Sequence, residues 1–279
     1  MGIIIGIDIG GSTTKIVGFL DAKILSPILV RATDPVASVY GAFGRFLNDN
    51  KLTIANVDKI MVTGVGSSYV NERLFGIPTA KVDEFMAVGM GGLFLSGLSK
   101  AIIVSMGTGT ALVIADHDQA THLGGTGVGG GTLLGLSNRM LNIRNFDDII
   151  EMAKGGDLSH IDLTIGDITR DRVVNLPSET TASNFGKISD LASKADVALG
   201  IVNLVFQTIG MISVFATKME HIKDIVLTGN LTNVPQAEIV FKKLSELFGV
   251  NFVMPDNAEF ATAAGAAIIC ANGGQSTEI

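Results

Sequence analysis

Residues 6–15 read Gly6-Ile7-Asp8-Ile9-Gly10-Gly11-Ser12-Thr13-Thr14-Lys15, and the fold follows from how this stretch is read. The residues leading into it, 3–9, are apolar and β-branched, and residues 13–20 continue as a mixed strand, so Gly10-Gly11 forms the reversal between two strands. Glycines at such a reversal let backbone N–H groups approach an anion with no Cβ in the way. A P-loop needs G-x-x-x-x-G-K-[ST] and a dinucleotide fingerprint needs G-x-G-x-x-G, each leading into a helix, and neither pattern is present. Taken alone, the segment reads equally well as an ordinary glycine hairpin.

The same device returns a hundred residues on. Residues 101–106 form an apolar strand, Gly107-Thr108-Gly109 a turn, and residues 110–115 the returning strand. A duplicated strand, glycine turn and strand implies two related halves. Two facing hairpins grip a polyphosphate from both sides, leaving Asp8 to hold a magnesium ion, usually through the ion's water shell.

Composition narrows the function classes. The chain has 279 residues, 47% of them hydrophobic, enough for two medium domains with substantial cores. A formal charge of −7 and scattered Lys and Arg leave no basic surface for nucleic acid, which is not an expected partner. One cysteine, Cys270, excludes an internal disulfide framework, and the first residues enter a strand directly, so a cytoplasmic protein is expected. The longest apolar helical stretch, 195–215, is interrupted by Asp196, Asn203 and Gln207. It falls short of the ~20 clean residues of a membrane span and reads as a buried core helix, with no membrane partner.

Strand patterns at 3–9, 13–20 and 24–30 precede a helical pattern at 36–47 and a strand at 59–62, an α/β half with an antiparallel start. A helix follows over 83–98 with Asp83 at its N-cap position, and Ser96-Gly97-Leu98-Ser99 breaks the chain before the second half. The expected domains are 1–99 and 100–279. The second half repeats strands at 101–106, 110–115 and 120–123, then adds helices at 132–141 and 146–153 and a loop-rich insertion over 157–177. It ends with a helix at 195–219, a strand at 224–227, a helix at 235–248, a strand at 251–254 and a small-residue helix at 260–271.

Gly124 to Thr132 is dense in glycine and runs into Leu133-Leu134. A glycine loop feeding a helix N-terminus is an anion site, because unpaired N–H groups and the helix dipole both favour negative charge. A flexible linker is the bland alternative, but it would carry more Ser, Pro or charge and would not pass at once into an apolar helix. Val226-Leu227-Thr228-Gly229-Asn230-Leu231 is a strand ending in a polar turn, where ligands collect in α/β sheets.

The set 6–15, 105–110 and 226–231 resembles the two phosphate motifs and the adenosine motif of the superfamily of actin, heat-shock chaperone ATPases and sugar kinases. Within it, the run 123–136, Val82-Asp83-Glu84-Phe85 and Thr180-Thr181-Ala182-Ser183-Asn184-Phe185-Gly186 resemble type II pantothenate kinase, over nearly the whole chain. The resemblance implies two RNase H-like domains with a nucleotide cleft between them, a homodimer, and phosphorylation of the pantothenate hydroxyl by ATP and Mg2+, the first step towards coenzyme A. By the same resemblance, the ATP-binding residues are Asp8, Gly10, Gly11, Ser12, Thr13, Lys15, Thr108, Gly130, Gly131, Thr132, Leu133, Leu134, Phe146 and Asn230. Glu84 matches the catalytic base and a substrate contact, although an acid in a first helical turn is favoured by the dipole whatever its function.

One departure stands out. The family carries an arginine two residues before the Gly-Gly pair, where it helps hold substrate, and this chain has His122, which cannot form the bidentate fork. Three other readings stay open: a different small-molecule kinase such as a sugar kinase, a dehydratase-activating ATPase, and a non-catalytic nucleotide or coenzyme A sensor. The sugar kinase lacks its zinc-binding cysteines here, the activator lacks cysteines for an iron–sulfur cluster, and a sensor has no need of Glu84.

Overall fold

The computed structural model of the protein describes residues 2–11, 13–21, 23–31, 34–70, 73–117, 119–171, 176–273 and 277–278. The first sheet contains β1 (Ile3–Ile9), β2 (Thr13–Leu20), β3 (Lys23–Arg31), β4 (Val57–Thr63), β5 (Arg73–Leu74) and β6 (Ile77–Lys81), with α1 (Pro35–Asp49) between β3 and β4. Helix α2 (Glu84–Ser96) leads to β7 (Lys100–Met106), β8 (Thr110–Asp116) and β9 (Gln119–Thr126). After them come α3 (Gly130–Leu141), α4 (Phe146–Ala153) and an insertion with β10 (Leu163–Thr164), α5 (Ile165–Ile168) and β11 (Thr181–Ser183). The chain continues through α6 (Lys194–Glu220), β12 (Asp224–Thr228), α7 (Pro235–Phe248), β13 (Asn251–Val253), α8 (Ala261–Ala271) and β14 (Thr277–Glu278).

The duplication read from the glycine hairpins extends to whole sheets. The first runs β3-β2-β1-β4-β6, with the two-residue β5 and β14 both paired to β6 at its edge, and the second β9-β8-β7-β12-β13. In each, the first three strands are antiparallel and the last two pairs parallel. This is the expected α/β architecture of two RNase H-like sheets. The fifth strand of the first sheet, β6, has no counterpart in the sequence reading, because Ile77-Pro78-Thr79-Ala80-Lys81 is short and carries a proline. Pro78 is tolerated because it lies beside β5, a two-residue ribbon at the edge.

Alternation fixes which face of each strand is buried where. Ile3, Ile5, Ile7 and Ile9 pack with Val39, Phe43 and Phe46 of α1, so Ile4, Gly6 and Asp8 face the other way. On the second sheet Ile102, Val104 and Met106 join the core under α3, α4, α6 and α7, while Ala101 and Ile103 face α2. Two helices therefore fill the space between the sheets, α8 against β1, β2 and β4, and α2 against β7, β8 and β9. They cross at glycines: a Cβ on Gly91 would strike the Ala261 carbonyl, and one on Gly265 the Ala87 carbonyl. The chain thus returns to its first sheet after completing its second. The sequence pattern of α8 shows that it is apolar on all sides, and it is buried on all sides.

Helix α6 is the one described helix long and apolar enough to cross a membrane, and it is instead a core helix of the second sheet, with Val202, Val205, Phe206 and Ile209 fully buried.

Candidate active site

Asp8 sits on the inward face of β1, next to last in the strand, with Lys15 of β2 directly opposite in the antiparallel register. Directly opposed residues share a face, and Lys15 Nζ stands 3.7 Å from Asp8 Oδ2, the two side chains being only 8% and 14% exposed. Burial pushes the Asp8 carboxyl above its usual range, against the opposing pull of the Lys15 charge. Among the described residues no hydrogen bond shorter than this ion pair reaches the Asp8 carboxylate, a hard oxygen donor of the kind that suits a cation or its bound water.

What seats Asp8 from below is the turn after β4. Asp8 pairs with Thr63, and Gly64 follows at φ 86°, where a side chain would be strained and its Cβ would lie 2.7 Å from Asp8 Oδ1 and from the Ile9 carbonyl. The second sheet repeats this arrangement. Ser105 pairs with Thr228, Gly229 follows at φ 90°, and a Cβ there would lie 2.5 Å from the Met106 carbonyl. Each glycine opens a short 3-10 turn, Val65–Tyr69 in one half and Asn230–Asn233 in the other. Ser105 therefore holds in β7 the place that Asp8 holds in β1. Sequence reasoning missed Thr63-Gly64, and it took Ser105 only as the first residue of the second phosphate motif. The recoverable signal was the Thr-Gly pair that closes an apolar strand in both halves.

The two glycine hairpins close as read: Gly10 N–H donates to the Thr13 carbonyl at 2.9 Å and Gly107 N–H to the Gly109 carbonyl at 2.9 Å. Gly11 is exposed at the first tip, Thr13 opens β2, and Ser12 lies outside the described residues. Helix α3 is tied to the second hairpin, since Gly130 N–H donates to the Gly107 carbonyl and Gly131 N–H to the Thr108 carbonyl, each at 2.9 Å. The glycine-rich run is accordingly less open than its composition implies. Gly124 and Gly125 belong to β9, the true loop is Gly127–Gly129, and two of the first N–H groups of α3 are engaged by protein carbonyls. Thr132 caps the turn, its hydroxyl donating to the Gly127 carbonyl at 3.0 Å and accepting from Gly129 N–H. Leu133 is fully buried and Leu134 packs beside it. Asn230 follows Gly229 with its side-chain oxygen buried and, among the described residues, without a partner, and neighbouring Leu231 lies against Gly130. The second hairpin, the start of α3 and the Asn230 turn thus converge. Phe146 packs against the core of the second sheet.

Glu84 is the first residue of α2, whose N-cap Asp83 accepts a hydrogen bond from Met86 N–H at 2.9 Å as expected. Burial, then the charge of Asp8, then that of Asp83 hold the Glu84 carboxyl above its usual range, so Glu84 and Asp8 feel one another. Next to it, Phe85 stacks on His122 of β9, ring centroids 4.0 Å apart and planes 9° apart. Asp8 with its lysine lies close enough to the start of α2 for its charge to act on Glu84, while the second hairpin gathers with the start of α3 and the Asn230 turn. Those groups can hold a charged phosphate ester through a cation and accept a proton from an acceptor group. Among the described residues, no three His, Cys, Asp or Glu side chains cluster as a metal cage. A cavity of about 1080 Å3 opens on the far face of the second sheet, lined by Leu199, Val202, Gln207 and Val240. It contains none of the residues above.

The fold is that of the actin-like ATPases. Over 97% of its length the chain superimposes on the activator of 2-hydroxyisocaproyl-CoA dehydratase from Clostridium difficile, with a TM-score of 0.70 at 14% identity and 95% of that chain covered. It superimposes on a ROK family glucokinase from Streptomyces griseus with a TM-score of 0.61 at 14% identity, 96% of this chain and 99% of that one being covered. The family model named Fumble matches residues 100–252, and the chain belongs to the Fumble family. A type II pantothenate kinase from Bacillus cereus is 29% identical over 259 residues, covering 87% of this chain and 89% of the relative.

Proposed function

We propose that the protein transfers the γ-phosphoryl group of ATP to the primary hydroxyl of pantothenate, the first step towards coenzyme A. The observation that carries this reading is the proximity of Asp8, with Lys15, to Glu84 in a chain of this family. The nucleotide lies between two RNase H-like domains divided near Lys100, its phosphates against the Gly10-Gly11 and Gly107-Thr108-Gly109 hairpins and the start of α3, its adenosine towards Asn230. Phosphoryl transfer is mainly positioning and charge stabilisation. Asp8 suits a magnesium ion held through water, being a buried hard oxygen donor that accepts no short hydrogen bond among the described residues. The ion, when bound, neutralises phosphate charge. Lys15 adds a fixed positive charge beside it, and Glu84 accepts the hydroxyl proton as the oxygen attacks. His122 faces the acceptor, at the position where the family resemblance implies an arginine.

The protein works as a homodimer in the cytoplasm. Support for the dimer comes from α6, whose Phe215 and Met219 are 54% and 77% exposed at one end of an otherwise buried apolar helix.

An ADP-release assay with pantothenate, pantetheine and a panel of sugars tests the reading. Turnover with pantothenate and not with sugars is expected. Turnover confined to a sugar assigns the cleft to another kinase, and tight ATP binding with no turnover on any acceptor assigns it to a sensor.

A further inference from the structure

We propose that Phe85 is a positioning residue for the acceptor: it holds the His122 imidazole by its face, so that the edge of that ring is presented beside Glu84. The inference deepens the kinase reading above and rests on it. The two rings come from elements distant in sequence, the first turn of α2 and the middle of β9, and lie parallel at 4.0 Å.

A defect in the sheet puts His122 there. Along β8 and β9 the pairing runs Leu112 with Gly124 and then Val113 with His122, leaving Leu123 as an extra residue. Val113 and Ala115 face α2, and Ala120, opposite Ala115, packs there too. His122, opposite Val113, is therefore delivered to the α2 side, whereas Leu123 packs into the core on the other face. In an unbroken register Leu123 would stand opposite Val113 and His122 would turn away, since a shift of one residue exchanges the faces of a strand. Gly124, at φ 143°, supplies the backbone conformation that the bulge needs. Bulges re-aim side chains in this way at functional sites.

Among the described residues nothing else holds the ring. His117 and His160 lie within ion-pair distance of Asp116 and Asp196, but among the described residues no carboxylate or hydrogen-bonding group engages His122, which is solvent-exposed. The stack fixes the plane of the imidazole while leaving both nitrogens free. Phe85 adjoins Glu84 in sequence, so the same helical turn that carries the base orients the histidine.

The test is a double-mutant cycle in the full-length protein, with KM for pantothenate and for MgATP measured separately and the His122 ring proton shifts read by NMR. Phe85→Leu is expected to raise the pantothenate KM about tenfold with the MgATP KM within about twofold, as loss of orientation at a reacting centre does. It also moves the His122 ring resonances downfield as the ring current is lost. Phe85→Tyr, which keeps the ring, restores both. His122→Ala raises the pantothenate KM similarly, and Phe85→Leu adds nothing further in the His122→Ala background. Multiplicative effects of the two substitutions, an equal rise in both KM values, or Phe85→Tyr behaving like Phe85→Leu would overturn the positioning role. Absence of wild-type turnover on pantothenate instead overturns the kinase reading, whatever the NMR shifts show, and takes this proposal with it.

Discussion

The carboxylate of Asp8, near the end of β1, raises the proton affinity of Glu84, the first residue of α2, adding to the larger effect of Glu84's own burial. A base that takes a proton from an alcohol works best when its pKa approaches the working pH. The acid that holds the cation therefore also tunes the acid that activates the acceptor.

That coupling has a kinetic signature. The acid limb of kcat/KM is expected above the usual glutamate range, and in Asp8→Asn, normalised for its lower rate, the limb moves to lower pH. A limb that stays in place contradicts the coupling. Asp8→Asn also weakens ATP binding in the presence of Mg2+ more than in its absence, which calorimetric titration reads directly.

Glu84→Gln separates catalysis from stability. Turnover is expected to fall by roughly 10²–10⁴ while ATP affinity is kept. The folded pKa of Glu84 lies above its unfolded value of 4.5, so the folded state binds the extra proton between the two values and wild-type stability declines as pH rises through the folded pKa. The variant lacks this decline. Its melting temperature should exceed that of the wild type at about pH 8 and match it below about pH 4, where both states are protonated. Glu84 keeps a solvent-exposed side despite the desolvation its neighbours impose, so solvent screening keeps the difference to a few degrees at most. A variant that retains most of its turnover removes Glu84 from the base role.

The duplicated glycines are expected to fail differently. Gly64→Ala pushes on Asp8, and Gly229→Ala pushes on the end of β7 and the turn carrying Asn230. Each costs about 1–3 kcal/mol in backbone strain before any overlap, because φ near 90° with an extended ψ is a conformation essentially reserved for glycine. Gly64→Ala should weaken Mg2+-dependent nucleotide binding selectively, whereas Gly229→Ala should weaken binding with or without Mg2+. Indistinguishable responses would remove the division of labour between the two halves.

His122→Arg should raise turnover near neutral pH, because a guanidinium is always charged, offers a bidentate fork and can still lie flat on Phe85. A loss of activity means that the histidine is matched to a different group on the acceptor.

Much of this is legible in the sequence. Gly10-Gly11 and Gly107-Thr108-Gly109 announced the duplication because a hairpin is a local event written in a few residues, and Asp83 announced the start of α2 for the same reason. The inward placement of Asp8 follows from strand alternation once Ile3 to Ile9 is read as a strand. The rest is non-local. β6 is short and edged by a proline, the return of α8 to the first sheet has no local mark, and the engagement of Gly130 and Gly131 by hairpin carbonyls depends on two segments meeting in space. The Phe85–His122 stack depends on a one-residue bulge, which composition hides in a run of glycines.

The central claim is that this cleft passes phosphate from ATP to pantothenate with Glu84 as base. Phosphorus NMR of the purified protein incubated with MgATP and pantothenate tests it most directly. A phosphomonoester resonance that couples to the pantothenate methylene protons, grows in step with ADP and is all but lost in Glu84→Gln is the predicted result. ATP that binds yet yields no such ester, or an ester formed equally well by Glu84→Gln, contradicts the account.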